Sequence, residues 1–257
     1  MKPFEVTVYL KTPLLYPTRR PLYPLCLDSV LAWAAAVEKR GSAALTPAAE
    51  NLEDIDLPLA QAGTARKYYR ASALTLPTGL EQPGAVNIHR CAWVRSQSWL
   101  NYGARYAKGA AKLAVETGRG QMRPYSDELI AVTTPYVKFY GVGDPKEVAR
   151  LFRLIPQLGA RRAIGGGEIH SVRISPAPAD YSVIGPDGYP ARPVPVEEIE
   201  GSPLWFRGEA TYRPPYWDVR QSTLCYLPLP ERWCPTAILP SRLLVNPGER
   251  RRRKKSI

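Results

Sequence analysis

The segment Leu158–Glu168 constrains the fold of this chain more than any other. It reads Leu-Gly-Ala-Arg-Arg-Ala-Ile-Gly-Gly-Gly-Glu, and it lies between a segment of helical pattern and a segment of strand pattern. P-loops and dinucleotide-binding loops have the opposite order, because the N-terminus of the following helix must face the phosphate. The order excludes both kinds of nucleotide site and predicts a glycine-rich loop that enters a strand.

A short amphipathic helix is predicted before this loop, over residues 144–154. Asp144 suits the N-cap, Pro145 suits the first helical position, and Glu147 would complete a capping box. The apolar residues of the segment recur on one helical face: Val148, Leu151, Phe152 and Ile155. After the loop, the alternating pattern predicts a strand that contains Ile169, Val172 and Ile174.

The glycine-rich loop allows two interpretations. Glycines permit positive φ and leave the backbone bare against a ligand, and the neighbouring Arg161 and Arg162 can contact phosphates. Alternatively, the three glycines only fit a tight corner. The glycines alone do not distinguish the two, but the adjacent arginines favour a phosphate ligand.

The charge of the chain points to a polyanionic partner. The net charge is +12, and it is concentrated in residues 64–123 and in the tail 249–257, which holds six consecutive Lys and Arg residues. The 257 residues are 45% hydrophobic, enough for one large core or two small ones. No apolar run approaches the roughly 20 residues that span a bilayer, and no signal peptide is recognised, so we expect a cytoplasmic protein.

The four cysteines indicate neither a metal site nor a disulfide framework. Cys26, Cys91, Cys225 and Cys234 form no C-x-x-C pair, so free buried thiols are expected. The sequence predicts no metal and no cofactor.

An α+β core is predicted over residues 1–175. A strand at Phe4–Leu10 precedes a buried helix that Asp28 or Ser29 would cap and that would end near Gly41. Further strands are predicted over 65–76, 88–97 and 131–142. Without the basic part, the order is β-α-(insertion)-β-α-loop-β, which fits a ferredoxin-like or RRM-like fold.

Three further parts surround this core. Residues 61–125 form a basic, aromatic-rich insertion. Residues 176–248 hold 14 prolines, which predicts an extension of short strands packed on the core, including one at 204–212. Residues 213–217 could be a ligand for a proline-recognition module, but an internal turn with buried aromatic rings is favoured. The basic tail 249–257 is expected to be disordered and to add salt-sensitive affinity for nucleic acid.

The insertion interleaves aromatic and basic residues. Bases can stack on such rings while phosphates meet Lys and Arg, which suits single-stranded nucleic acid. A half-buried hairpin whose rings pack inward would explain the same pattern. Spacing does not decide between them. The aromatic residues concerned are Tyr68, Tyr69, Trp93, Trp99, Tyr102 and Tyr106.

Four stretches together resemble a known family, the RAMP superfamily of CRISPR proteins, and within it the type IV subunit family called Csf three, which is related to Cas five. The stretches are 27–35 (Leu-Asp-Ser-Val-Leu-Ala-Trp-Ala-Ala), 139–144 (Phe-Tyr-Gly-Val-Gly-Asp), 159–167 of the glycine-rich loop, and 212–217 (Tyr-Arg-Pro-Pro-Tyr-Trp).

The resemblance implies a RAMP core and a non-catalytic subunit of an RNA-guided effector complex. Such subunits hold the 5′ handle of the CRISPR RNA at one end of the complex, beside the large subunit and the first backbone subunit. The insertion would be a thumb. The implied target is DNA near the protospacer-adjacent motif, and one branch of these systems has an accessory helicase as a partner. Guide pairing would supply most of the target specificity.

The RNA-binding residues expected on this basis share positive charge, an aromatic ring or a bare backbone. They are Arg19, Arg20, Lys67, Tyr69, Arg70, Arg95, Trp99, Arg105, Lys108, Arg119, Arg123, Arg161, Arg162, Gly165, Gly166 and Gly167.

Two other function classes remain open. Some relatives of this subunit cut precursor RNA, so a metal-independent endoribonuclease is the alternative, with His170 a better candidate than His89 because it follows the loop by three residues. Packed or surface histidines are the commoner finding at such strand positions. A nucleic-acid-binding regulator is the third class, but no helix-turn-helix pair is recognised.

Overall fold

The computed structural model describes residues 1–17, 24–41, 55–77, 86–95, 125–160, 165–216 and 218–229. Strands outnumber helices in this part of the chain. Its elements in chain order are β1 (Lys2–Leu10), β2 (Leu14–Pro17), α1 (Leu27–Arg40), β3 (Gln61–Ala62), β4 (Tyr68–Tyr69), β5 (Asn87–Arg95), β6 (Tyr125–Thr133), β7 (Tyr136–Gly143), α2 (Pro145–Phe152), β8 (Ile169–Pro176), β9 (Val194–Pro195), β10 (Arg207–Thr211) and β11 (Ser222–Tyr226).

A central antiparallel sheet is built from β7, β1 and β8, with β1 in the middle. The register places Val6 opposite Phe139 on one side and opposite Ile174 on the other. The predicted first strand and the predicted strand after the glycine-rich loop are therefore confirmed, and they are neighbours in one sheet.

Residues 70–75 run along the outer edge of β7 as an irregular fourth strand. Thr75 and Lys138 exchange backbone hydrogen bonds of 2.8 and 2.9 Å, and the Val142 amide donates to the Arg70 carbonyl at 3.0 Å. Between them, the Tyr140 amide donates to the Ser72 hydroxyl at 2.8 Å. A side-chain acceptor thus replaces a backbone acceptor at this point, so the ladder is interrupted. The predicted regular strand over 65–76 is wrong in this respect.

Both helices pack on one face of the central sheet. The main hydrophobic cluster joins alternate sheet residues such as Val8 and Phe139 to Leu31 of α1 and Leu151 of α2, all at most 2% exposed. Strand alternation puts these sheet side chains on one face, because successive Cβ atoms point to opposite sides. The prediction that the first helix is a core helix is confirmed.

The helix starts agree only in part with the predicted caps. At α2, the Asp144 carboxylate accepts from the Lys146 and Glu147 amides at 2.8 and 3.4 Å, as predicted. Glu147 does not complete a capping box, since its carboxylate accepts from Arg150 at 2.8 Å while the Asp144 amide donates to Pro58. At α1, the N-cap is Cys26 with no side-chain cap, and Asp28 and Ser29 lie inside the first turn. Their predicted capping role is wrong.

A second antiparallel sheet has the order β2-β6-β5. The predicted strand over 131–142 is in fact two strands, β6 and β7, which belong to different sheets. Pro135 separates them, and proline cannot donate to a ladder. The full length of β5 pairs with β6, so the partner of the predicted 88–97 strand is β6 and not the 65–76 segment.

The described part of the extension forms a small third sheet, β10-β11-β9. The strand predicted over 204–212 is confirmed in shorter form as β10. A second hydrophobic cluster contains Val194, Ala210, Tyr212 and Cys225 together with Tyr68 from β4. Residues 61–76, which the sequence placed in the insertion, also supply Ala71, Leu74 and Leu76 to the main cluster.

Candidate nucleic-acid interface

The glycine-rich loop of residues 158–168, which we now call the glycine-rich turn, is hydrogen-bonded to the connection between β1 and β2. The Thr12 hydroxyl donates to the Gly165 carbonyl at 2.6 Å and accepts from the Glu168 amide at 2.7 Å. The Gly167 amide donates to the Pro13 carbonyl at 2.8 Å. Lys11 forms an ion pair with Glu168 at 2.8 Å. The turn is thereby fixed at the end of the central sheet where β1 stops and β8 starts.

The surroundings that a Cβ would meet differ among the three consecutive glycines. A Cβ on Gly166 would lie 2.8 Å from the Leu15 side chain, and one on Gly167 would lie 2.0 Å from the Leu158 carbonyl oxygen. The chain itself fills the space over these two, as the tight-corner interpretation requires. Gly165 has a φ of 85°, and none of the described residues has an atom within 4 Å of a Cβ position on it. The Thr12 hydroxyl occupies its carbonyl, but the side of its Cα stays open for a ligand.

The four arginines assigned to this region lie outside the described residues. Arg161 and Arg162 follow Ala160, whose amide donates to the Leu15 carbonyl of β2 at 3.4 Å. Arg19 and Arg20 follow the end of β2 by two and three residues. The chain segments that carry the two pairs therefore leave from neighbouring backbone, and their contact with phosphate stays a prediction.

Three predicted RNA-binding residues near β4 have distinct surroundings. Lys67 is exposed, and within the described chain its ammonium group makes no ion pair. Tyr69 is half-buried, and its hydroxyl donates to the Ile55 carbonyl at 3.3 Å. Arg70 forms an ion pair with Asp180 of the extension. Of the three, Lys67 is the one best placed to meet a phosphate.

The remaining predicted residues are outside what the structure describes. Arg95 lies in β5, but its side chain is not described. The same holds for every atom of Trp99, Arg105, Lys108, Arg119 and Arg123. What the structure shows is that residues 96–124 connect the two paired strands β5 and β6, so they leave and re-enter the fold at one place.

Tyr68 follows the alternative interpretation of the insertion, with its ring packed inward. It is 4% exposed, and the guanidinium carbon of Arg192 lies 5.4 Å from its ring centroid. No ring face is left for a base at this position. At this position the inward-packed interpretation, one of the two that spacing left open, is the correct one.

Sequence reasoning missed a buried polar cluster centred on Arg192, which is 0% exposed. Its guanidinium donates to the Asp28 carboxylate at 3.0 Å and to the Tyr216 hydroxyl at 2.7 Å. It also donates to the backbone carbonyls of Tyr69 and Ala71. The cluster joins α1 and the extension to Tyr69 of β4 and to Ala71 of residues 70–75, which we call the edge segment. Asp28 and Tyr216 come from two of the four stretches that carry the family resemblance, so those stretches meet in space.

Burial raises the pKa of the Asp28 carboxyl, and the Arg192 charge and the Tyr216 hydroxyl oppose this rise. A guanidinium stays charged at every accessible pH. The two groups therefore form a buried ion pair whose hydrogen bonds satisfy both partners. The internal turn predicted for residues 213–217 is confirmed as far as Tyr216, which donates to the Asp28 carboxylate rather than toward solvent, whereas Trp217 lies outside the described residues.

The two candidate catalytic histidines both lie in strands. His89 and His170 lie in β5 and β8 as predicted, and both are exposed. Within the described ranges, no group of three or more His, Cys, Asp or Glu residues could hold a metal ion. Cys26 and Cys225 are buried free thiols as predicted, but Cys91 is exposed. In the same part of the chain, we find no helix with the length and apolarity that crossing a membrane requires.

Comparison with known proteins identifies the class. The family model described as CRISPR type IV associated protein Csf3 matches residues 2–228. The chain therefore belongs to the Csf3 family of type IV CRISPR-associated proteins, and the resemblance seen in the four stretches is confirmed. No curated protein matches.

One similar solved structure is a chain of the type III-B Cmr-beta complex, determined by cryo-electron microscopy with cognate target RNA bound. It is 10% identical with a TM-score of 0.32, and the match covers 68% of this protein and 61% of that chain.

Proposed function

We propose that this protein is a non-catalytic, RNA-binding subunit of a type IV CRISPR RNA-guided effector complex. The observation that carries the proposal is membership of a type IV CRISPR-associated family over residues 2–228. The net charge of +12 supports an RNA partner, because Lys and Arg in excess of acidic residues attract a phosphate backbone. The specific ligand is the 5′ handle of the CRISPR RNA.

The core is proposed to be ferredoxin-like, as in the RAMP superfamily. The supporting observation is the antiparallel order β8-β1-β7 followed by the 70–75 segment on the outer edge of β7. With α1 after β1 and α2 after β7, the chain order is β-α-β-β-α-β, which is the split βαβ arrangement. Residues 96–124, held between β5 and β6, correspond to the proposed thumb.

The RNA backbone is proposed to pass the glycine-rich turn. Among the described residues, nothing fills the space over the Gly165 Cα, and Arg161 and Arg162 precede Gly165 by four and three positions in the sequence. Contacts from Arg19, Arg20, Lys67 and the thumb would extend the interface. The proposed protein neighbours are the large subunit and the first backbone subunit. Target DNA near the protospacer-adjacent motif and, in one branch, an accessory helicase would complete the assembly.

The test is binding of a labelled repeat-derived RNA by the purified complex containing wild-type protein or the Arg161→Ala/Arg162→Ala variant. Each lost phosphate contact should lower affinity for all RNA sequences alike and reduce the salt dependence by about one unit of slope. Arg153→Ala, an exposed cation at the end of α2, is the matched control. Unchanged handle affinity and unchanged assembly in the double variant would show that this turn does not hold the RNA.

The same RNA should emerge uncut after incubation with the protein. His170 is exposed beside the turn, so it is the residue to replace if cleavage occurs. Specific cleavage that disappears in His170→Ala would overturn the non-catalytic role and establish the endoribonuclease alternative.

A further inference from the structure

The central sheet has a second face that neither helix covers. Strand alternation places Glu5, Thr7 and Tyr9 of β1 on this face, opposite to the side that carries Val6 and Val8. The register brings Tyr9 against Tyr136 and Ser171, and Thr7 against Lys138 and Arg173. We call Tyr9, Tyr136, Lys138 and Arg173 the tyrosine face.

The two rings of the tyrosine face form a contiguous pair. Tyr9 and Tyr136 have centroids 6.0 Å apart with an interplanar angle of 62°. Both side chains are partly exposed, and neither belongs to a hydrophobic cluster. Beyond them, Tyr140 is closed off by Tyr181 of the extension at 5.4 Å. Among the described residues, the part of the face left uncovered is therefore the end nearest the glycine-rich turn.

The row beside the rings is cationic. Lys138 lies 5.7 Å from the Tyr136 centroid and 3.8 Å from the Glu5 carboxylate, which compensates part of its charge. Arg173 is exposed, and among the described residues no carboxylate pairs with it. Two residues along a strand span about 7 Å. Rings and cations are thus adjacent rows on one surface.

The chemistry of this face fits single-stranded RNA better than a protein partner. Bases stack on aromatic rings presented by a sheet, and Arg and Lys meet the backbone. The large apolar side chains that are exposed in the described chain lie elsewhere: Met1, Ile88, Val94, Leu154, Leu204, Phe206 and Leu224. The face therefore offers stacking and positive charge but no apolar patch.

We propose that Tyr9 and Tyr136 stack bases of single-stranded RNA while Lys138 and Arg173 contact its backbone. The inference rests on the proposed RNA-binding function and extends it from the turn to the sheet. The position of the tyrosine face next to the glycine-rich turn supports this proposal. Tyr9 pairs with Ser171, which follows Glu168 by three residues, and Lys11 is bonded to Glu168. An RNA strand leaving the turn meets the two rings first and the two cations next.

The experiment measures anisotropy of a fluorescent single-stranded RNA of about 12 nucleotides with full-length protein. Tyr9→Leu and Tyr136→Leu each remove a ring while keeping apolar bulk, and each should weaken binding roughly 5- to 100-fold. Phe at either position should restore it. Arg173→Ala should reduce the salt slope by about one unit. Tyr189→Leu and Arg153→Ala, which lie off this face, serve as controls and should bind like wild type.

The outcomes separate this inference from the function on which it rests. If wild type binds RNA and the two Leu variants bind equally well, the tyrosine face is not a stacking surface and the proposed function stands. If wild type fails to bind RNA alone and within its complex, both are overturned. Displacement of the RNA by poly-glutamate at lower concentration than by unlabelled RNA would assign the face to an acidic protein partner instead. Ultraviolet crosslinks at Tyr9 or Tyr136 would support the inference even if one Leu variant misfolds.

Discussion

At the scale of single residues, the most consequential side chain is one that sequence reasoning passed over. Arg192 lies in a proline-rich segment where a charged residue would ordinarily be solvated, yet it is 0% exposed. Its partner Asp28 looked like a helix cap from sequence, because Asp is common at that position. The two are 164 positions apart, so nothing local could have paired them.

Breaking this buried pair should be costly. Arg192→Ala leaves the Asp28 carboxylate buried without its counter-charge, and we expect the free energy of unfolding to fall by about 3–5 kcal/mol. Arg150, whose pairs with Glu38 and Glu147 are exposed, is the matched control, and Arg150→Ala should lower the free energy of unfolding far less because solvent screens an exposed pair. Urea denaturation measures both. Equal losses in the two variants would mean that the buried pair does not join the extension to the core.

A second carboxylate gives the stability a pH dependence. The backbone amides of Thr64, Arg66 and Ala65 donate to Glu198 and together hold its pKa below the ordinary 4.5, against the opposing effect of desolvation. A lowered pKa in the folded state means that the stabilisation is present above pH 4.5 and is lost as pH falls through the folded value. The urea concentration at the midpoint of unfolding should therefore decrease in wild type as the pH is lowered below about 4.5.

Glu198→Gln should be less stable than wild type at pH 7, and the difference should shrink on acidification. Glu209→Gln, an exposed carboxylate on β10, should reproduce the wild-type profile. A difference that stays constant from pH 7 to pH 3 would contradict the role given to the three amides.

At the scale of elements, the glycine-rich turn is where prediction from sequence succeeded and where it stopped. The order helix, turn, strand is local information, carried by the Asp144 cap and by strand alternation after Glu168, and it was correct. The sequence could not predict which of the three glycines are packed against the chain and which is open. It depends on Leu15 and Leu158, which pack against Gly166 and Gly167 only in the folded chain.

Because their surroundings differ, alanine substitutions at Gly165 and Gly167 should lower the free energy of unfolding by different amounts. Gly165→Ala places a side chain in open space at positive φ and should cost about 1–2 kcal/mol. Gly167→Ala adds a clash with the Leu158 carbonyl, 2.0 Å from the new Cβ, to the same kind of backbone strain. Thermal unfolding should therefore show a larger loss for Gly167→Ala. The reverse order would mean that the corner is held differently.

The edge segment shows a second limit. Sequence pattern identified a strand near residues 65–76, but the Ser72 hydroxyl takes the place of a backbone acceptor and interrupts the ladder. The pairing of β5 with β6 across residues 96–124 is likewise long-range. Alternation along each strand is readable from sequence, whereas the choice of partner strand depends on the tertiary fold.

At the scale of the whole molecule, residues from the four stretches that resemble the family join separate parts of the fold. Asp28 and Tyr216 meet at Arg192, and a Cβ on Gly143 would lie 2.1 Å from the Pro58 carbonyl that packs against it. At each of these joints, close packing or a buried hydrogen bond limits which side chain fits. The composition pointed to RNA but did not single out Tyr9 or Tyr136, because their adjacency depends on the register between β1 and β7.

The measurement that tests the central claim most directly is ultraviolet crosslinking of the assembled complex, with the crosslinked nucleotides mapped on the bound RNA. We expect crosslinks from this protein to the 5′ handle of the CRISPR RNA, weakened in the Arg161→Ala/Arg162→Ala variant. Handle crosslinks confined to the other subunits, with this protein present in the complex, would contradict it.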